Sequence, residues 1–177
     1  LNVFLQIPQS WYYLLNMHGK YSERATIDED ILGRLAAEKE RTSLGPNKIL
    51  RYMRNRGLMP PGSKLKVAQV ESWLSRLAAS APQADIDAIF AAYTEILPEH
   101  DLKTTPEANQ LILICDDLVE ELRDLLRARP NSCRRALLSS PETPKGLSAY
   151  RLQRLAAGQD RVILWQHLTY IRRISRR

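Results

Sequence analysis

The chain has 177 residues, 44% of them hydrophobic, enough to build one compact domain or two small ones with real cores. It contains no apolar run long enough to cross a bilayer, and its opening, LNVFL, is short and lacks a basic lead. Neither a membrane span nor an export signal is expected, and the expected location is the cytoplasm. The net charge of +6 by itself suggests an acidic partner such as nucleic acid.

The charge comes in blocks. Residues 1–40 carry a net −2, residues 41–80 a net +7, residues 81–124 a net −9 and residues 125–177 a net +10. A single run of like charge is usually a solvated face, but two basic blocks at matching places in the chain call for a shared explanation. Cys115 and Cys133 lack the spacing of a zinc site and are read as reduced packing residues. The chain begins at Leu1 rather than at a methionine, so whether it is a whole protein or a fragment of a longer one is left open.

Taken in chain order, the apolar spacing is helical nearly everywhere, and the expected fold class is all-α. Residues 1–25 are read either as a lead-in helix or as the tail of a partial repeat. A helix from about Pro8, with Trp11, Leu14 and Leu15 inward, would stop at Gly19. TIDEDILGRLAAEKER has Thr26 as its cap, acids at Asp28, Glu29 and Asp30 in its first turn, and Ile31, Leu32 and Leu35 on one side. GPNKILRYMRNRG starts a short helix at Pro46, turns Ile49, Leu50 and Met53 inward and ends near Gly57. Pro60, Pro61 and Gly62 make a loop. KVAQVESWLSRL then puts Val70, Trp73, Leu74 and Leu77 on one face, and ADIDAIFAAYTEIL does the same with Ile86, Ile89, Phe90, Tyr93 and Ile96.

After Pro98 the order repeats. The longest helix is expected from about Pro106, with Leu111, Cys115, Leu118, Leu122 and Leu125 on one stripe over about 35 Å. PNSCRRALLSS, the loop PETPKG, LSAYRLQRLAAG and VILWQHLTYIRRI follow. The pair PN at 46–47 recurs at 130–131, and RLAA at 76–79 recurs at 154–157. The shared order predicts a degenerate internal duplication, with units at 26–98 and 99–177.

Two helices that read DNA in tandem need apolar anchors on one face of the second helix, small or hydrogen-bonding residues on the other, and cations beside them for the phosphates. In the first unit Lys66, Gln69, Ser72 and Arg76 would face out, flanked by Lys48, Arg51, Arg54, Arg56 and Lys64. In the second, Leu152 and Leu155 would anchor the helix. Ser148, Tyr150, Arg151 and Arg154 would then be available, with Arg134, Arg135 and Lys145 beside them.

Here the sequence resembles the phage-repressor-like helix-turn-helix superfamily. TSLGPNKIL is similar to its first helix, and VESWLSR and LQRLAAG are similar to its apolar-x-x-Trp-x-x-Gly reading helix, over residues 30–97 and 107–174. Two departures stand out. Thirteen residues separate Met53 from Val67 where the family has a turn of three or four, and Leu50 stands where it prefers a small residue. Two registers between the units are open: the RLAA runs pair Leu74 with Leu152, whereas the family pattern pairs Val70 with Leu152. The resemblance implies a DNA-binding protein of two tandem helix-turn-helix units, serving transcription regulation, replication, partition or transposition targeting.

No enzyme is expected, because Gly-rich phosphate loops, H-E-x-x-H and GxSxG are all missing from the sequence. His18, His100 and His167 are read as surface or packing residues, and the acids at 85–87 and 116–117 as the wet faces of helices. No metal or cofactor is expected. The alternative is a helical adaptor, in which the acidic helix 107–129 binds a protein partner or a second copy and the basic blocks only keep the surface solvated. RNA remains a second possible nucleic-acid partner.

Overall fold

The computed structural model describes residues 23–127 and 138–175. The chain divides into two compact units. The first contains residues 23–40 and 44–94, and the second contains residues 41–43 and the described residues from Glu95 onward. The expected N-terminal helix from Pro8 lies outside the described residues, as do Cys133, Arg134 and Arg135.

In the first unit, strand β1 (Arg24–Thr26) leads into helix α1 (Glu29–Thr42), whose last two residues belong to the second unit. The cap of α1 is Asp28 rather than Thr26: its Oδ1 accepts the Ile31 N–H at 2.9 Å, while Thr26 is taken up by the strand. Helix α2 (Pro46–Arg56) begins with proline, which has no N–H to lose there, and ends at Gly57, whose φ of 68° only glycine adopts without cost. It buries Ile49, Leu50, Tyr52 and Met53, and each such side chain contributes about 1.5–3 kcal/mol. Helix α3 (Val67–Leu74) follows the loop, then strand β2 (Ser80–Pro82) and helix α4 (Gln83–Thr94). Helices α3 and α4 both pack on α2. Ala84, Ala88 and Ala92 are all buried, at intervals of four along α4, so that line of the helix is narrow.

The second unit has a 3-10 turn (Glu99–Asp101), strand β3 (Leu111–Leu113), helix α5 (Asp116–Arg127), helix α6 (Ala149–Ala156), strand β4 (Val162–Leu164) and helix α7 (Trp165–Ser175). Its core joins Ile112, Leu118, Leu122, Leu152, Leu155, Ile163, Leu168 and Ile171.

The fold is therefore mostly helical but not all-α. Strand β1 pairs antiparallel with β2, and β3 with β4, as two separate two-stranded sheets. The long helix expected from Pro106 does not start until Asp116, and the first residues of VILWQHLTYIRRI form β4. A continuous apolar run of three or four residues fits a buried strand as well as a turn of buried helix, and periodicity does not separate them. Ile112 and Ile163, wholly buried and opposite each other in register, select the strand by pairing.

The described elements of the two units run in one order: strand, helix, the stretch that is α2 in the first unit and lies outside the described residues in the second, helix, strand, helix. The equivalence follows the register that pairs Val70 with Leu152, not the RLAA runs. Val70 and Trp73 are buried in α3 as Leu152 and Leu155 are in α6. Both helices end the same way: the Leu77 N–H donates to the Ser72 carbonyl and the Gln159 N–H to the Arg154 carbonyl, each at 2.9 Å, closing a Schellman turn. The left-handed residue of that turn is Arg76 (φ 56°) in one unit and Gly158 (φ 69°) in the other. This turn ends the helical stripe, so Leu77 is 83% exposed rather than an anchor, and Leu74 is only half-buried.

A polar tether also recurs. Asp85, buried rather than wet, accepts from Ser63 Oγ at 2.6 Å, and His167 Nε2 lies 3.2 Å from the Lys145 carbonyl. In both units the last helix thus holds the loop that precedes α3 or α6. Burial pushes the His167 pKa down, with the Arg151 charge adding to the effect against the Lys145 bond. The buried, unpartnered Nδ1 fits a neutral ring with its proton on Nε2.

Two outcomes follow from this geometry. Gly158→Ala meets no neighbouring atom but is forced into a left-handed backbone, so urea unfolding should show a loss of about 1–2 kcal/mol. The unfolded chain protonates the His167 imidazole near pH 6.5 and the folded chain only below that, so the unfolded state binds more protons on acidification and stability falls. Thermal melts between about pH 7.5 and pH 5 should show the native chain losing more stability than His167→Gln, which keeps a donor for Lys145 but does not titrate.

Candidate nucleic-acid interface

The predicted contact residues fall into two groups, those left facing solvent and those engaged within the fold. In the first unit the rotation of α2 is set by its buried side, so Asn47, Lys48, Arg51, Arg54 and Asn55 are all exposed. Lys48, Arg51 and Arg54 succeed one another at intervals of three, neighbours along one helix face. The helix contains no acidic residue. Arg54 also donates from Nη2 to the Leu65 carbonyl at 3.2 Å, holding the loop that carries the exposed Lys64 and Lys66 against α2.

Helix α3, the expected reading helix, is different. It carries no cation, and its exposed face includes Glu71. Gln69 Oε1 accepts the Lys66 N–H at 2.8 Å, which stabilises the first turn, and Ser72 Oγ donates to the Gln69 carbonyl at 2.7 Å. Arg76, beyond its end, pairs with Glu29 at 2.8 Å. Gln69, Ser72 and Arg76 therefore serve the local structure. Asn47 and Asn55, which the spacing of cations alone did not single out, stand on the exposed face of α2. The available signal was an eleven-residue amphipathic helix whose polar side holds only Asn, Lys and Arg.

In the second unit Ser148 caps α6, its Oγ accepting the Arg151 N–H at 3.2 Å. Tyr150 is 68% exposed, and the Arg154 guanidinium lies 5.9 Å from its ring centroid. Arg154 is also bound to Asp160 at 3.1 Å, a bond that pushes its already high pKa further up. Arg151 is half-buried and Lys145 exposed.

The acids of α5 are largely engaged as well. Glu120 pairs with Arg123, Asp124 with Arg127 at 3.3 Å, and Glu121 with Arg172 at 3.0 Å. Arg172 also reaches Glu99 at 2.7 Å. Among the described residues no group of His, Cys, Asp and Glu is placed to hold a metal ion, and no helix is long and apolar enough to cross a membrane.

No family model matches the chain, and no curated protein or solved structure matches it either. The chemistry of these faces is what bears on function.

Engagement of Arg154 by Asp160 has a measurable consequence. Arg154→Ala and Asp160→Asn should each lower the urea midpoint, and the double variant should fall short of their sum, because both remove the same bond.

Proposed function

We propose that the chain binds double-stranded DNA through two helical units of related build, with the basic face of α2 as its principal contact in the first unit. The observation that carries the reading is the exposed series Lys48, Arg51 and Arg54 on an acid-free helix, with Lys64 and Lys66 held beside it through the Arg54–Leu65 bond. Exposed cations on and beside a rigid element supply positive charge to the phosphates of a duplex, and neutralising those phosphates releases condensed counterions. A helix fits the roughly 12 Å major groove of B-DNA and not the deep, narrow groove of duplex RNA, which favours DNA over RNA. The biological setting follows the same reading: a cytoplasmic protein, or a segment of one, acting in transcription control, replication, partition or transposition targeting.

The adaptor reading draws less support. It needs the acids of the 107–129 region free for a partner, and Glu120, Glu121 and Asp124 are already paired with arginines of their own unit.

Fluorescence anisotropy with a mixed-sequence duplex between about 50 and 200 mM salt tests the proposal. Affinity should fall steeply, with a log–log slope of about 0.9 per phosphate contacted. Lys48→Ala and Lys64→Ala should each weaken binding on every sequence and flatten that slope by about one unit. Absence of binding at the lowest salt would overturn the reading.

A further inference from the structure

Resting on that reading, the structure points to a different reading helix from the one the sequence motif suggests, and we propose that α2 enters the major groove, with Asn47 and Arg51 at base edges. A helix-turn-helix requires a turn of three or four residues, often with glycine, before the helix that reads DNA. The passage from α2 to α3 takes residues 57–66, far too long. The passage from α1 to α2 is Ser43, Leu44 and Gly45, and has the required length.

That short turn is firmly built. Ser43, directly after α1, takes a left-handed φ of 56°, a helix-ending conformation reached here without a glycine. Leu44 is buried, and its carbonyl accepts the Tyr93 hydroxyl at 2.8 Å. The Gly45 carbonyl then accepts the N–H groups of Lys48 and Ile49 at 3.0 and 3.1 Å, starting α2 directly. The turn is thus tied to the core of the unit through Leu44 and Tyr93, and the start of α2 is fixed in position.

What α2 presents at its amino-terminal end suits base readout. Asn47 and Arg51 are exposed and one helical turn apart on one ridge. An Asn amide pairs in two-point fashion with adenine N6 and N7, and an Arg guanidinium does so with guanine O6 and N7. Lys48 and Arg54 lie beside that ridge, where phosphates would run, with Lys64 and Lys66 on the tethered loop extending the cationic track. Helix α3 offers no such set, since its one suitable amide, Gln69, is bound to the Lys66 N–H and its exposed acid, Glu71, would face phosphates. The expected ligand is a duplex with adjacent adenine and guanine edges in one major groove.

Selection of the full chain on a random duplex library, followed by anisotropy on the enriched and a scrambled duplex, tests this. Asn47→Ala and Arg51→Lys should each reduce discrimination between the two duplexes about tenfold or more. Arg51→Lys keeps the charge and loses only the planar fork, so its salt slope should stay at the native value. Gln69→Ala should leave discrimination unchanged. Loss of discrimination in Gln69→Ala with Asn47→Ala and Arg51→Lys unaffected would place the reading in α3 and overturn the proposal while DNA binding stands. The proposal likewise falls if the α2 variants weaken all duplexes equally, or if no sequence is enriched despite salt-dependent binding. No binding to any duplex at about 50 mM salt would overturn this proposal and the DNA-binding reading together.

Discussion

The rotation of helix α2 about its own axis governs what the first unit can do. Ile49, Leu50, Tyr52 and Met53 are almost wholly removed from water, and together they leave the helix one orientation. A turn of α2 by one residue would expose at least one of them, at a cost of about 1.5–3 kcal/mol each. With that side fixed inward, Lys48, Arg51 and Arg54 have to face out. The basic face is a consequence of packing, not of attraction among the charges themselves, which repel.

Around this helix the unit is closed by small devices rather than by a large sheet. Two three-residue strands pair, so the segment before the first helix lies against the segment after the third. Arg24 reinforces the pairing by donating to the Ser80 hydroxyl and carbonyl. The last helix then reaches back with a buried polar side chain to hold the preceding loop, through Asp85 in the first unit and His167 in the second. Unpaired, either group would carry the penalty of a buried polar atom, so each tether constrains its loop strongly. The loop in question carries Lys64 in one unit and Lys145 in the other, so the tether also positions exposed cations.

The distribution of ion pairs divides the charged residues into those that serve the fold and those available to a partner. Arg172 is shared between Glu99 and Glu121, Arg154 faces Asp160, and Arg173 pairs with Glu142 at 2.9 Å. The second unit, although it contains the more basic of the two blocks, thus balances much of its positive charge internally among the described residues. In the first unit Lys48, Arg51 and Lys66 have no carboxylate partner among the described residues, and α2 has no acid of its own. A block sum of charge therefore ranks the two units differently from the exposed, unbalanced cations.

Read locally, the residues establish which positions are apolar and at what spacing, and with them the helix from Pro46 that stops near Gly57, the buried Val70 and Trp73 of α3 and Leu152 and Leu155 of α6, and the two basic blocks. Those features depend on neighbours three or four positions away, and local periodicity reports them. It also contained the short turn Ser43–Leu44–Gly45, but the Val70–Trp73 spacing drew attention one helix too far along the chain. The remaining features depend on contacts between segments far apart in the chain. Pairing between segments 49 to 53 residues apart turned LIL and VIL into strands, since a three-residue run has too little period to declare itself. The left-handed Arg76 ended α3 and left Leu77 in water, where the helical stripe would have buried it. Whether an arginine faces solvent or a carboxylate is set by distant partners, as Glu99 and Glu121 are for Arg172, and composition holds no record of those distances.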